Sequence, residues 1–442
     1  RGHAARPAPV AAGFMTSSVT APMAPARALA IAQEFDLRAL QPDFLANPYP
    51  VYDALRHTRP VAQLPDGSFF LTRHADLLTV YRDATRFYAD KHEEFAPKYG
   101  TGTPLYEHHT TSLVFNDPPL HTRVRGIIMG ALTRRAIADL APGLRQLVNH
   151  LLDQLEAKQG GDLIDDFASA IPVEIIGNLL AVPHDERGPL REWSLAILGA
   201  LEPTLSAEQL QRGQDSVRDF THYLRGLVAH RRAHPLDPQR DVLTRLIAGD
   251  ANGQALSETE LLQNCIFLLN AGHETTTNLI GNALVALCEW PQARAWLLNA
   301  LQGCEPQSAD EDGIMTGAVE EFLRFESSNQ LGNRRARHNT ELAGVALPQG
   351  ARITLCIGAA NRDPAVFDQP HTLNLQRQPN RHVAFGFGTH QCAGLSLARL
   401  EGMVALSMFL RRFPHYGLTA APTRGNRARF RGFLHAPFGT QG

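Results

Sequence analysis

The sequence predicts a mainly α-helical fold with a small β-rich region, on three observations. From Asn47 to about Leu342 most segments carry apolar residues at helical spacing. One of them, Glu258–Glu289, is long enough to cross a whole domain, since about thirty residues at 1.5 Å rise span roughly 45 Å. Extended segments, by contrast, are few and short.

In chain order, the first extended candidates are Pro60–Leu64 and Ser68–Thr72, with the turn pair Asp66-Gly67 between them. Helical spacing follows at His74–Arg82. It returns at His121–Met129, where Asp117-Pro118-Pro119-Leu120 places prolines ahead of the first full turn, and again at Leu140–Lys158 and Asp215–Arg232. Glu258–Glu289 has defined ends, because Ser257-Glu258-Thr259-Glu260 matches a capping box and Pro291 stops it. Gly317–Phe325 is the next helix. Arg352–Ile357 is an extended segment after the turn pair Gln349-Gly350, and Leu395–Phe409 is the last helix.

At 442 residues the chain exceeds the usual single-domain length, yet no Ser/Gly-rich linker, charge block or internal repeat divides it. Residues 1–30 are rich in Ala and Pro, lack acidic residues and begin with Arg. They read as a disordered leader, with Met15 a candidate start, ahead of one domain over residues 31–442. Hydrophobic residues make up 44% and charged residues 19%, an ordinary mixture for a globular core. The net charge of −2 provides no field for nucleic acid or an anionic membrane. No stretch reaches the roughly eighteen apolar residues of a membrane-spanning helix, so a soluble protein is expected. Five cysteines, an odd number without CxxC spacing, fit a reducing, cytoplasmic setting.

The segment richest in chemistry is Phe385-Gly386-Phe387-Gly388-Thr389-His390-Gln391-Cys392-Ala393-Gly394. Its glycines permit a tight loop that brings backbone close to a flat cofactor and aims amide N–H groups at one sulfur. Those donors, with the N-terminus of the following helix, favour a thiolate at Cys392. A lone cysteine is ordinarily a small buried hydrophobe, and that reading holds for Cys265, Cys288, Cys304 and Cys356. At Cys392 the spacing F-G-x-G-x-H-x-C-x-G reverses it. In the long helix, Ala271-Gly272-His273-Glu274-Thr275-Thr276-Thr277 combines residues of poor helix propensity, so a soft spot is expected there. Glu321 and Arg324 stand three apart on one helix face. His121 and Arg125 stand four apart, both within reach of one anionic group.

The Cys392 loop resembles the haem-binding loop of the cytochrome P450 family, in its soluble bacterial type, and the resemblance runs from about Asn47 to Phe438. It implies the cytochrome P450 fold: a triangular, helix-rich single domain holding haem b (iron protoporphyrin IX) between Glu258–Glu289 and the Cys392 loop. Cys392 is then the axial thiolate on iron, whose electron donation helps cleave an O–O bond. Ala271 to Thr275 resembles the family's A-G-x-[D/E]-T motif, in which the helix opens over the haem. On that mapping Ala271 and Gly272 border the cofactor, Thr275 hydrogen-bonds the iron-bound oxygen, and Glu274 relays protons through water. Glu321 and Arg324 resemble the family's E-x-x-R pair, completed by Arg377. His121, Arg125, Arg334 and His390 match contacts to the haem propionates, and Phe385 and Gly386 belong to the cofactor loop. Gly126, Leu132 and Ala393 depart from common family residues without touching a chemical role. Ser327-Ser328 replaces a frequent proline and loosens the mapping of the pocket wall at Asn329–Leu331.

The implied reaction inserts one atom of O2 into a C–H or C=C bond of a small organic substrate and releases the other as water. No flavin-binding or iron–sulfur motif follows Cys392, so electrons are expected from a ferredoxin or flavodoxin and its NAD(P)H-dependent reductase. Arg123, Arg134, Arg135 and Arg399 make a candidate docking patch. Two rivals stay open. One is an H2O2-dependent peroxygenase of the same fold, against which Glu274 and Thr275 argue; the other is a non-catalytic haem sensor or electron carrier. A monomer with neither nucleic-acid nor membrane partner is expected. Substrate walls are expected from the 85–114 loop with Lys91, Lys98, Tyr106, His108 and His109, the 195–215 region, Leu268, Leu269, Ala271, Gln330–Leu331 and Phe433–Phe438. They suit a medium-sized, partly polar molecule.

Overall fold

In the computed structural model, which describes residues 23–238, 241–249 and 253–441, the long helix runs unbroken over Glu258–Glu289. Its capping box forms: Glu260 N donates to Ser257 Oγ at 3.2 Å, and Ser257 N donates to Glu260 Oε2 at 2.8 Å. Buried residues occur on every side of it, so tertiary burial holds a helix that propensity alone would not. Helices Ala170–Leu179, Leu190–Gly199, Ala207–Ala233 and Leu395–Arg412 pack against this central helix. Ile176, Phe220, Leu279, Leu284 and Phe409 belong to the apolar core they share. Each such side chain contributes roughly 1.5–3 kcal/mol by leaving water.

The largest sheet positions one wall of the site. Strand Leu331–Ala336 pairs antiparallel with Arg352–Cys356, placing Arg334 opposite Ile353. Arg352–Cys356 runs parallel to Phe69–Leu71, which pairs antiparallel with Val61–Gln63. Phe87–Tyr88 closes the other edge. Phe69, Leu71, Ile353 and Leu355 share an apolar cluster with Leu77, Val80 and Tyr81 of helix His74–Arg82. Tyr81 thereby comes to lie 5.3 Å below the Arg334 guanidinium.

Several boundaries differ from the periodicity. Helices begin earlier than expected, at Arg134, Ala207 and Ala309 instead of Leu140, Asp215 and Gly317. Thr133, Ser206 and Ser308 cap these starts, and the added turns mostly face solvent, where apolar spacing is silent. The first of these helices also continues through Pro142. The 85–114 stretch, expected as a loop, contains helices His92–Tyr99 and Pro104–Thr111. Phe438, expected in a substrate wall, is in the core, because strand Pro437–Gly439 pairs with both Gly160–Asp162 and Gly417–Leu418 and turns the ring onto Phe409. Residues 1–22 of the expected leader lie outside the described residues, and from Pro25 the chain is helical to Glu34, with Ala28 and Ala32 buried. No helix among the described residues is long and apolar enough to cross a membrane.

Candidate active site

The Cys392 loop takes a shape that favours glycine. Gly386 and Gly388 have φ of 65° and 71°, and a Cβ on Gly388 would stand 2.6 Å from Tyr81 O. Cys392 N donates to Phe385 O at 2.9 Å and closes the loop; helix Leu395–Arg412 starts just beyond it. Burial pushes the Cys392 thiol up, opposed by the Gly394 N–H and by the charges of Arg125 and Arg399. A coordinated metal cation deprotonates such a ligand outright.

Beside this loop stands a group of donors whose hydrogen bonds are not closed within the chain. His121 is 1% exposed, and neither ring nitrogen has a partner among the described residues. Its ring lies 4.1 Å from that of His390, whose Nδ1 is also unpartnered and whose Nε2 stands 3.9 Å from Asp117 Oδ1. Burial, then the charges of His390 and Arg125, push His121 down to about 4; Arg334 acts in the same direction. Arg334 is buried and donates from Nη1 to the neighbouring Asn333 O at 2.7 Å. Buried polar atoms without partners are rare. Two imidazoles and two guanidiniums gathered here fit the carboxylates of a flat, dianionic cofactor lying against the loop.

The central helix supplies a second wall. Leu268, Ala271 and Thr275 are partly accessible, while Leu269, Asn270, His273, Glu274 and Thr276 are buried, so one stripe of the helix borders open space. The expected soft spot is absent. Thr275 Oγ1 donates to Ala271 O at 2.8 Å and Thr277 Oγ1 to His273 O at 3.0 Å, so these hydroxyls bond the helix without interrupting it. Gly272 faces Ile176, whose Cδ1 would lie 2.4 Å from an added Cβ, and so lets helix Ala170–Leu179 approach closely. Glu274 is buried, with Oε1 bonded by Arg427 and Oε2 unpartnered. Burial raises its carboxyl to about 7, against the pull of Arg427.

Behind the Cys392 loop, Glu321, Arg324 and Arg377 come together. Glu321 and Arg324 have fully buried side chains and form a bidentate pair, both contacts 2.8 Å. Arg377 Nε donates to Glu321 Oε2 at 3.1 Å, as does Asn380 Nδ2 at 3.1 Å. Arg324 also donates to Asn361 O, Pro370 O and Thr372 O, tying the helix to the segment that leads into the loop.

The proposed docking patch is not four free cations. Arg399 is fixed by Glu320 at 2.6 and 2.9 Å, and Arg123 by Glu260, because each lies opposite a carboxylate on the neighbouring helix. Against the burial that raises it, Glu320 is held down at about 2 by His382 and Arg399. Lys91, Lys98 and His108, expected in a substrate wall, are engaged with Glu94, Glu202 O and Gln263, and His109 stacks among Phe95, Tyr99 and Phe115. Sequence reasoning missed Arg427 and the Glu320–His382–Arg399 group. Arg427 stands among Arg424, Arg429 and Arg431, with no spacing to single it out.

Comparison with known proteins gives one family. A family model described as Cytochrome P450 matches residues 195–424. The biotin biosynthesis cytochrome P450 of Bacillus subtilis (strain 168) is 33% identical over 382 residues, covering 85% of this chain and 91% of its own. The polyketide biosynthesis cytochrome P450 PksS of the same organism is 32% identical, covering 86% and 92%. Among solved structures, P450BioI in complex with a hexadec-9Z-enoic acid ligated acyl carrier protein superposes with a TM-score of 0.82 at 32% identity, covering 90% of this chain and 98% of that one.

Proposed function

This chain belongs to the cytochrome P450 family, and on that premise we propose that the Cys392 sulfur would ligate the iron of a haem b and that His121, Arg125, Arg334 and His390 would hold its propionates. The protein is a haem-thiolate monooxygenase, an oxidoreductase. When bound, the haem supplies O2 activation, assisted by electron donation from the thiolate.

The chain supplies the rest. Phe385 and Gly386 shape the loop that presents the Cys392 sulfur, and Ala271 keeps the facing stretch of helix free of bulk, whereas Gly272, expected beside the cofactor, faces Ile176 of the neighbouring helix instead. Thr275 turns its hydroxyl from Ala271 O toward the oxygen side and donates a hydrogen bond there. Glu274 takes a proton at Oε2 and passes it on; a carboxyl near 7 exchanges protons readily at neutral pH. The balance is RH + O2 + 2 H+ + 2 electrons giving ROH + H2O, which the Glu274–Thr275 pair favours over direct use of H2O2.

The electrons come from a ferredoxin or flavodoxin with its NAD(P)H-dependent reductase, in the cytoplasm. The substrate is a medium-sized biosynthetic intermediate, a reading supported by relatives named for biotin and polyketide biosynthesis; the polar wall expected from Lys91, Lys98, His108 and His109 is engaged within the chain. The observation that carries the cofactor assignment is the buried, unpartnered imidazole of His121 among the cations beside the Cys392 loop. A carbon monoxide difference spectrum of the reduced protein tests it: the Soret maximum of thiolate ligation is expected, and one typical of histidine ligation contradicts it.

A further inference from the structure

Two cations near the candidate active site are left without an anion. Lys98, on helix His92–Tyr99, and Arg429 are half-buried. Neither forms an ion pair among the described residues, although Lys91, Arg427 and Arg431, near them in sequence, each do. Lys98 Nζ donates to Glu202 O at 2.7 Å. Arg429 donates from Nε to Leu201 O at 3.3 Å, from Nη1 to Leu331 O at 2.6 Å and from Nη2 to Asn333 Oδ1. Every one of these acceptors is neutral. An ammonium carries three donors and a guanidinium five, so both side chains keep N–H groups for a further acceptor.

The two charges stand close to each other. Burial, then the Arg429 charge, push Lys98 down to about 8, opposed by Glu94 and Glu202. Glu94 is already bonded to Lys91, and the Glu202 carboxylate accepts the backbone N–H groups of Ala428 and Arg429. Two cations therefore face one carboxylate, and the excess positive charge sits where burial makes an unpaired charge costly. Lys98, Leu201 with Glu202, and Leu331 come from three of the segments expected to wall the substrate, and Arg429 bonds the last two directly. The cluster adjoins the candidate active site on two sides. Arg429 lies near Tyr81, which packs against Arg334, and the Glu202 charge reaches Glu274.

We propose that Lys98 and Arg429 bind the carboxylate of the substrate, which makes the substrate class an organic acid whose apolar body extends toward Leu268, Ala271 and Thr275. Arg429, held by three oxygens, presents a fixed fork, and Lys98 adds a second charge from a separate segment. One carboxylate cancels the excess charge. With the acid end held there, oxidation falls on the apolar part, remote from the carboxylate. Both side chains determine specificity and take no part in the chemistry. The inference rests on the monooxygenase reading of the site.

Calorimetric titration of the haem-loaded protein with decanoate and with phenylbutyrate, each against its own amide, tests it. At least one acid is expected to bind about tenfold or more tightly than its amide. Lys98→Met is expected to remove most of that margin with the amide's affinity unchanged, and Lys98→Arg to keep it. Arg429→Gln is expected to act alike; because Arg429 also ties three segments, its thermal midpoint is read beside it, and Lys98→Met, which gives up one carbonyl bond, decides if that midpoint falls. A parent that binds neither acid more tightly than its amide overturns the proposal, as does a margin unchanged in Lys98→Met. Loss of haem in Lys98→Met assigns the pair to a propionate and overturns it too. The carbon monoxide spectrum separates the two readings: a Soret maximum typical of histidine ligation removes the monooxygenase reading, whereas thiolate ligation without preference for the acids removes the carboxylate anchor alone.

Discussion

Glu321 and Glu274 are both buried carboxylates bonded by an arginine, and they differ in what is left over. Both oxygens of Glu321 are taken up by Arg324, Arg377, Asn374 and Asn380. Glu274 spends one oxygen on Arg427 and leaves the other bare. A polar network that closes on itself specifies and stiffens the fold. One that stays open retains capacity for a ligand, a water or a proton. The same contrast separates the scaffold behind the Cys392 loop from His121 and His390 in front of it.

The comparison can be broken most forcefully at Arg324. Arg324→Leu removes the bidentate partner of the buried Glu321 carboxylate, leaving Arg377 as its cation, at a cost of up to about 3–5 kcal/mol, so denaturant unfolding should register that loss and haem content should fall with it. A stable, fully loaded variant removes the scaffold role. Thr275→Ala should do the reverse: stability within about 1 kcal/mol of the parent, with product formed per NADH falling by up to roughly 10²-fold. A large loss of stability with coupling retained puts Thr275 on the structural side.

A smaller effect is expected at Arg427. Its charge and hydrogen bond favour the ionised form of Glu274, so Arg427→Gln raises that carboxyl further, and the pH midpoint of coupling moves upward. An unmoved or lowered midpoint contradicts the pairing. The smallest is at His121, whose folded value of about 4 lies below its ordinary 6.5. As pH falls from about 6.5 to 4 the unfolded chain takes up the proton first, so the haem-free protein loses stability over that window. His121→Leu should flatten that decline and stabilise the haem-free protein by about 1 kcal/mol, while weakening retention of haem.

What the sequence made legible was local. Gly386 and Gly388 announce a loop because their backbone angles are their own, and Ser257 with Glu260 marks a helix start because both partners lie within one turn. Glu321 and Arg324 are readable as a pair for the same reason; Arg377 entered only through family resemblance. Arg427 was not readable, since it meets Glu274 across 153 residues and apolar spacing says nothing about which turns of two distant segments face each other. The Glu320–Arg399 pair is hidden in the same way. Local propensity misled at Thr275–Thr277, where hydroxyl bonds from Thr275 and Thr277 to the preceding turn keep the helix intact.

The claim on which the rest depends is the bond between the Cys392 sulfur and iron. X-ray absorption at the iron edge of the haem-loaded protein tests it directly: one sulfur bonded to iron is predicted in the parent and its absence in Cys392→Ser. A parent spectrum showing only nitrogen and oxygen ligands, or a sulfur that persists in the variant, contradicts it.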